Sequence, residues 1–320
     1  MEVTKSVKQE SRGFSHERFK IRMKDMDIFF QNPVNPHSFH CFWRNYMKKY
    51  FVISDIHSFF TPFKKALDDA GFDPTNKDHW LIVAGDLFDR GPDSLQVYNY
   101  ISKLKRKILI RGNHEDLFED AYKRQAFLYY DLSNGTVKTF YEINKIKYNQ
   151  FLAFNSDNDT SIFNTNKTRL LREWINQKFV DYVEFTNFVI VHSWIPLEVN
   201  ENCEYCYNPK WRKASQEEWQ RARWGNPFKW SALNLGVPNK KIIVGHWHCS
   251  AGWANILNLT EFGRDARFDI FENDNLIAID ACTAHSNKCN VFVFEDDAKP
   301  KKGKTYNQWT LLRKSSKRKQ

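Results

Sequence analysis

The sequence predicts an α/β domain whose second half is α+β, and three observations lead to this prediction. Short apolar, β-branched runs alternate with helical patterns from residue 47 to about residue 130. From about residue 182 onward, strand-like runs follow one another with few helices between them. The composition of the 320 residues, 42% hydrophobic and 27% charged, is that of a globular protein and excludes wholesale disorder.

The first half of the domain contains three predicted strands, and each leads into a predicted helix. Runs of β-branched and aromatic residues predict the strands, which lie at residues 50–54, 80–84 and 107–110. The helical patterns that follow them lie near residues 62–70, 94–104 and 115–130. This β-α-β-α-β order predicts parallel strands joined by right-handed crossovers.

The second half contains further predicted strands, at residues 182–185, 188–192, 241–245, 276–280 and 290–295. Because few helices separate them, we expect a second and more mixed sheet. Two inserts are predicted: a polar, partly helical one near residues 133–180, and a tryptophan-rich one with weak strand signals near residues 199–238.

Four tryptophans lie within the second insert, at positions 211, 219, 224 and 230. Two interpretations are open for this segment. The first is ordinary core packing, and the second is a lid or pocket wall that stacks on an aromatic group such as a nucleobase.

The two ends of the chain differ from the middle. Residues 1–46 lack clean periodicity and are predicted as an N-terminal extension of a domain spanning residues 47–298. Residues 299–320 contain nine Lys or Arg residues and no acidic residue, which predicts a basic, flexible tail. This tail accounts for most of the net charge of +10, so the body is nearly neutral, which argues against a long channel for a nucleic-acid duplex.

The compartment is predicted from what the sequence lacks. No apolar run approaches the ~18 residues that a membrane span needs, and the first residues show no secretory signal. The six cysteines are therefore expected to be reduced thiols, and the protein is expected in the cytoplasm.

Polar side chains follow five of the predicted strands, at the point where each strand ends. Ligand sites of open α/β sheets form beyond the carboxyl ends of the strands, so these clusters are expected to converge. Nitrogen and oxygen donors of this mix suit two divalent ions such as Mn, Fe or Zn. The clusters are Asp55 and His57; Asp86, Asp89 and Arg90; Arg111, Asn113 and His114; His192; and His246 and His248.

These clusters, taken in order, resemble those of a known family. The chain has Asp-x-His at 55–57, Gly-Asp-x-x-Asp-Arg-Gly at 85–91, Arg-Gly-Asn-His-Glu at 111–115, an isolated His192, and Gly-His-x-His at 245–248. Over roughly residues 47–296 it is similar to the calcineurin-like metallophosphoesterases. The second and third motifs resemble the branch that contains serine/threonine phosphoprotein phosphatases together with bacterial and phage diadenosine tetraphosphatases.

The resemblance implies a two-layer β-sandwich flanked by helices, with a dinuclear metal centre in which manganese is expected and Fe or Zn are possible. Its implied ligands are Asp55, His57 and His248 for the first ion, Asn113, His192 and His246 for the second, and Asp86 as the bridge between them. Many phosphoprotein phosphatases lack a histidine at the position of His248, which is a departure within that branch.

The implied mechanism needs no covalent intermediate. Two cations polarise the phosphoryl oxygens, and a water bridging them becomes the hydroxide nucleophile. Arg90 and Arg111 are expected to bind phosphate oxygens bidentately. A third arginine is expected from Arg221 or Arg223, of which we favour Arg223.

The residue expected to protonate the leaving group is His114, because it follows a metal ligand in the sequence. Asp89 is expected to orient the imidazole of His114, and the family uses an Asp–His pair in this way.

The predicted function is metal-dependent hydrolysis of a phosphomonoester, most directly on phosphoserine or phosphothreonine. The first alternative is symmetric cleavage of a dinucleoside polyphosphate such as diadenosine tetraphosphate. A further alternative is a nuclease, phosphodiesterase or nucleic-acid-binding protein that uses the tail at 299–320, which the neutral body does not favour. The expected partner is therefore a phosphoprotein or a small phosphorylated molecule, with no membrane span.

Overall fold

The computed structural model describes residues 47–147 and 160–317. The predicted N-terminal extension, residues 1–46, lies outside these ranges, as do residues 148–159 of the first predicted insert. The boundaries predicted for the extension and the domain stay predictions. Within the described residues, no helix is both long enough and apolar enough to cross a membrane.

The described strands follow one another along the chain as short segments. In order they are β1 (Lys48–Ile53), β2 (His79–Ala84), β3 (Lys107–Ile110), β4 (Phe179–Val180), β5 (Val183–Glu184), β6 (Phe188–Ile190), β7 (Glu198–Val199), β8 (Tyr205–Cys206), β9 (Lys241–Val244), β10 (Phe271–Glu272), β11 (Leu276–Ala278), β12 (Phe292–Asp296) and β13 (Lys301–Lys302).

The described helices are concentrated between the strands of the first half. In order they are α1 (Phe60–Asp69), α2 (Ser94–Lys103), α3 (Asn113–Arg124), α4 (Tyr129–Ser133), α5 (Thr136–Ile143), α6 (Asn166–Lys178), α7 (Gln216–Ala222), α8 (Pro227–Ala232), α9 (Cys249–Leu257), α10 (Thr283–Ser286) and α11 (Tyr306–Lys317).

The first sheet has five strands in the order β12-β1-β2-β3-β4. Strands β1 to β4 are parallel, and β12 is antiparallel to β1. The helices that join β1, β2 and β3 are the crossovers that parallel neighbours require. As a result, the carboxyl ends of β1, β2 and β3 lie at the same edge of the sheet.

The second sheet has six strands in the order β10-β11-β9-β6-β5-β13. Its centre, β11-β9-β6, is parallel, while β10, β5 and β13 pair antiparallel. The prediction of a second, mixed sheet is confirmed. The strand predicted at 290–295 belongs instead to the first sheet, where Phe294 of β12 lies opposite Tyr50 and stacks on it with ring centroids 5.2 Å apart.

The two sheets pack face to face through one buried apolar layer. Tyr50 and Val52 of the first sheet share this layer with Ile190 and Ile243 of the second. Side chains alternate along a strand, so Phe51 and Ile53 face the other way and pack under the helices. The predicted two-layer β-sandwich flanked by helices is confirmed, and with it the α/β class.

The helix predicted at 115–130 is divided in the structure. Helix α3 ends at Arg124 because Gln125 adopts a left-handed conformation with φ 55°, a common way to terminate a helix. The following residues form the separate short helix α4, which leads through Gly135 into α5.

The described part of the predicted tail is folded rather than flexible. Lys301 and Lys302 form β13, which pairs with β5 at the edge of the second sheet. In helix α11, the Trp309 indole donates a hydrogen bond to Asp181 over 2.9 Å, and Tyr306 accepts one from Lys123 over 2.7 Å. The charge pattern alone did not reveal these two aromatic contacts.

Candidate metal centre and active site

The loops after β1, β2, β3, β6 and β9 meet at one place beyond the carboxyl ends of these strands. Backbone hydrogen bonds connect them directly: Asp55 donates to the Gly85 carbonyl over 3.2 Å, and Gly245 donates to the His192 carbonyl over 2.8 Å. The convergence expected from the sequence is therefore present.

Several residues of these loops have left-handed backbones, which is uncommon for residues other than glycine. The φ angles of Asp55, His57, Asp86, Asp89 and His246 are 48°, 47°, 55°, 75° and 66°. Such conformations cost roughly 1–3 kcal/mol each and cluster at functional sites, where the surrounding structure holds them in place. The residues named here are all ones that the sequence singled out.

Two glycines are required by the close approach of carboxylates. A Cβ atom at Gly112 would collide with the side chain of Asp86, and one at Gly245 would collide with that of Asp55. These glycines of the third and last motifs thus make room for the acidic groups they face.

The Asp86 carboxylate lies at the centre of the site, and three imidazoles converge on its Oδ2 atom. The Nε2 atoms of His57, His114 and His192 lie 3.8, 3.8 and 3.4 Å from it. The other oxygen, Oδ1, accepts a hydrogen bond of 3.0 Å from the His114 backbone at the start of α3. Asp86 belongs to both groups of side chains that could hold an ion, one with His57 and His114 and one with His192 and His246.

The imidazoles of His57 and His192 are oriented by backbone carbonyls. Their Nδ1 atoms donate to the carbonyls of Phe88 over 3.0 Å and Ala84 over 2.9 Å. This arrangement leaves the Nε2 lone pairs facing Asp86, as in metal-binding histidines. Burial lowers the pKa of both imidazoles well below the usual range, so they are neutral near pH 7, the form that binds metal.

The acidic side chains repel each other in this buried site. Burial, with the charges of Asp280 and Asp86 in addition, raises the pKa of Asp55 well above its usual value. Burial and the charge of Glu115 do the same to the pKa of Asp86. Neutral imidazoles and carboxylates are donors that bind divalent cations, and a bound cation would relieve the repulsion between the carboxylates. The residues present therefore fit a metal centre.

Asn113 and His246 complete the side of the site nearer to the second sheet. The Asn113 Oδ1 atom lies 2.7 Å from Nε2 of His192, and the His246 backbone donates to Asp55 over 2.9 Å. Burial, together with the charges of His114 and Arg90, lowers the pKa of His246 to about 3. Both residues thus lie beside the carboxylates and imidazoles of the candidate metal centre.

His248 lies apart from that set. Its Nδ1 atom is 2.8 Å from a Glu261 oxygen, and its Nε2 atom is 4.0 Å from Asp280. Burial opposes its protonation, but a hydrogen bond with Cys282 and the charge of Asp280 raise the pKa of His248 to about 10. Neither ion-holding group found among the described residues includes His248.

His114 and Asp89 form the hydrogen-bonded pair that the sequence predicts. The Nδ1 atom of His114 lies 2.7 Å from Asp89, whose carboxylate also accepts from the hydroxyls of Thr136 over 2.7 Å and Thr139 over 2.6 Å. Arg90 is exposed and donates to Nε2 of His114 over 3.2 Å. Because α5 supplies both threonines, part of the first predicted insert contributes to the candidate site.

Arg111 and Arg223 take part in a buried ion-pair network instead of facing the site. Both donate to Asp116, with shortest distances of 2.6 and 2.7 Å, and Arg223 also donates to Asp181 over 3.2 Å. Their exposed fractions are 2% and 3%. The predicted phosphate contacts of these two arginines would therefore require the network to open, whereas Arg221 is exposed.

Glu115 is a positioning residue that the sequence analysis did not single out. Its carboxylate accepts from the backbones of Asp86 over 3.1 Å, Leu87 over 3.0 Å and Gly112 over 2.7 Å. It thereby joins the loops after β2 and β3. The sequence did contain a signal for this role: Glu115 lies three residues after the glycine that precedes the helix. An acidic side chain at that position accepts hydrogen bonds from the backbone at the start of the helix.

Comparison with known proteins decides the family. The model for calcineurin-like phosphoesterases matches residues 48–250, more than half of the chain. This chain belongs to that family. Members of that family are phosphoesterases.

Among curated relatives, symmetrical bis(5'-nucleosyl)-tetraphosphatases match a short part of the chain. The protein of Wigglesworthia glossinidia brevipalpis is 46% identical over 67 residues, which are 21% of this chain and 24% of that relative. That of Buchnera aphidicola (strain Tuc7) is 43% identical over 70 residues, 22% of this chain and 24% of the relative. The match thus spans about a quarter of the length of these relatives.

Solved structures of phosphatases match most of the chain at low identity. A point mutant of a cold-active protein tyrosine phosphatase matches with a TM-score of 0.44 at 12% identity, covering 80% of each chain. A serine/threonine phosphatase from Saccharomyces cerevisiae matches with a TM-score of 0.36 at 14% identity, covering 79% of this chain and 80% of the other.

Proposed function

We propose that the chain hydrolyses its phosphorylated substrate with two divalent ions and with His114 as the proton donor. The observation that supports this most directly is the position of Asp86, whose Oδ2 atom lies within 3.8 Å of three imidazole Nε2 atoms. The proposed ligands are Asp55, His57, Asp86, Asn113, His192 and His246, and manganese is the expected metal.

Bound divalent ions would supply Lewis-acid polarisation of the phosphoryl group and would lower the pKa of a water molecule to make it a nucleophile. The protein's own contribution is to exclude bulk water and to fix the donors. Asp86 offers a carboxylate to both ion-holding groups, and the carbonyls of Phe88 and Ala84 keep two imidazoles aligned.

Arg90 and His114 would act on the substrate directly. An arginine has no lone pair, so its contact with Nε2 of His114 makes that nitrogen the acceptor and leaves the proton on Nδ1, facing Asp89. If Arg90 turns to bind a phosphate oxygen, Nε2 is released to carry the proton that the leaving group needs. Arg90 is exposed and therefore free to make this change.

Two substrate classes are proposed. An Asp–His acid pair suits a phosphomonoester with a basic leaving group, such as phosphoserine or phosphothreonine. A dinucleoside polyphosphate is favoured by the names of the curated relatives and by the exposed Trp224, whose ring centroid is 5.9 Å from that of His246. These relatives lend no support to the nucleic-acid alternative.

The test is a side-by-side assay of the manganese-loaded protein on a phosphoserine peptide and on diadenosine tetraphosphate, with the products identified by chromatography. Faster turnover of the peptide would select the first class, and symmetric release of ADP would select the second. Absence of metal-dependent hydrolysis of either compound and of p-nitrophenyl phosphate would refute the proposed function.

A further inference from the structure

A cavity of about 800 Å³ lies beside the candidate metal centre. This volume is in the range of small-ligand sites. Hairpin β7–β8 forms one side, and the loop from α7 to α8 forms the other. The lining residues used below are Tyr205, Arg221, Trp224, Gly225, Lys229 and Trp230.

The cavity wall is attached to the residues that flank the metal ligands. The Ser193 hydroxyl, next to His192, donates to the Gly225 carbonyl over 2.7 Å. The His246 imidazole is hydrogen-bonded to the backbone of Trp224, and the rings of these two residues are nearly perpendicular, at 88°. A ligand in the cavity would therefore be held at a fixed place relative to a phosphate on the metal centre.

The aromatic side chains of the cavity present open faces. Trp224 is 49% exposed and Tyr205 is 51% exposed, while Trp211 and Trp219 of the same segment are 0% and 1% exposed. Tyr205 packs on Trp230 with ring centroids 4.6 Å apart. Core packing thus accounts for Trp211 and Trp219, whereas Trp224 and Trp230 line the cavity, with Trp230 partly buried under Tyr205.

Two basic side chains at the cavity suit a ligand that combines a planar ring with phosphates. Arg221 and Lys229 are exposed on its lining, and the Lys229 ammonium lies 4.9 Å from the Trp230 ring centroid. The lining also carries two acidic residues: Glu218, whose carboxylate accepts from the Ser215 backbone over 2.6 Å, and the exposed Glu198 of β7. Phosphoserine and phosphothreonine carry no ring, whereas a nucleotide offers a π-face and anionic oxygens together.

We propose that this cavity is a nucleobase subsite, in which Trp224 stacks on the base of a nucleotide substrate while Arg221 and Lys229 bind phosphates between the base and the metal centre. The inference rests on the proposed function and deepens it, because it names the substrate as a nucleotide and Trp224 as the residue that selects it.

The test compares Trp224→Ala with Trp224→Phe and with Tyr129→Ala, which removes an aromatic ring that is 77% exposed and outside the cavity. The quantity measured is the ratio of kcat/KM for diadenosine tetraphosphate to kcat/KM for p-nitrophenyl phosphate. In Trp224→Ala the ratio should fall about 5–150-fold, the equivalent of about 1–3 kcal/mol for one stacked base. Trp224→Phe should retain most of it, and Tyr129→Ala should not change it.

A second measurement does not depend on hydrolysis. Calorimetric titration of the EDTA-treated full chain with adenosine should detect binding to the wild type and to Trp224→Phe, and none to Trp224→Ala. If the protein binds adenosine through Trp224 but hydrolyses no phosphoester, the subsite is supported and the proposed function is refuted.

Three results would overturn the subsite itself. The first is an unchanged substrate ratio in Trp224→Ala, and the second is adenosine binding that does not depend on Trp224. The third is a phosphopeptide kcat/KM that falls as much as that for the dinucleotide, which would assign the cavity to a protein substrate.

Discussion

The candidate site is assembled from two halves that are built differently. The half from β1, β2 and β3 uses short loops between parallel strands and crossover helices, and Glu115 ties two of these loops together through three backbone hydrogen bonds. The half from the second sheet uses single histidines after β6 and β9, separated by a long insert. Where loops are short, motif spacing determines where a side chain lies, and where an insert intervenes it does not.

Substitution Asp86→Asn tests the point at which both halves meet, and it should have the largest effect. Because Asp86 is shared by both ion-holding groups, the variant should bind at least one ion fewer. Its loss of kcat should exceed the ~10²–10⁴-fold typical of removing a positioned proton donor. Metal analysis by mass spectrometry and steady-state kinetics measure the two effects. Two bound ions with near-normal kcat would show that the site is wrongly assigned.

Substitution His114→Asn tests the first half alone. If His114 is the proton donor, kcat should fall by about 10²–10⁴-fold while metal content stays nearly intact. The loss should be greater on phosphoserine, whose alkoxide leaves poorly, than on p-nitrophenyl phosphate, whose leaving group needs no proton. Equal losses on both substrates, or loss of metal, would instead make His114 structural or a metal ligand.

Substitution Thr139→Val tests whether the first predicted insert positions the acid pair, and a smaller effect is expected. The valine removes the hydroxyl that donates to Asp89 over 2.6 Å. Removing a hydrogen bond that orients a catalytic side chain typically costs about 10–100-fold, and the loss should show the same leaving-group dependence as His114→Asn. Thr139→Ser keeps the hydroxyl and should restore most activity. A loss independent of the leaving group, with a lowered melting temperature, would indicate a purely structural role.

Much of the first half could be predicted from sequence because local signals agree there. The strands at 80–84 and 107–110 lie within one residue of β2 and β3, and the ligands directly follow them. Thr136 and Thr139 could not be predicted, because they reach Asp89 from some 50 residues away in the chain and carry no local pattern.

The second half shows where sequence reasoning fails. Strand β12 belongs to the first sheet, where it packs against Tyr50. The spacing of apolar residues along the chain does not predict which sheet a strand joins. Arg221 and Arg223 are only two positions apart at the end of α7, yet Arg221 is exposed whereas Arg223 is buried and donates to Asp116. Choosing between them requires the position of a carboxylate that lies 107 residues earlier.

Substitution of His248 compares the metal binding of the two halves most directly, and of these substitutions it should lower kcat the least. The resemblance implies that it binds the first ion beside Asp55 and His57. In the structure it contacts Glu261 over 2.8 Å and lies outside both ion-holding groups of the described residues. His248→Asn should therefore keep two ions per chain, and kcat should fall less than in Thr139→Val. Metal analysis under chelator challenge, with His57→Asn as the matched ligand control, measures this directly. If His248→Asn loses an ion as readily as His57→Asn does, the His248 side chain must turn from Glu261 to the metal when the metal binds. The second half of the site would then rearrange on metal binding, while the first half would not.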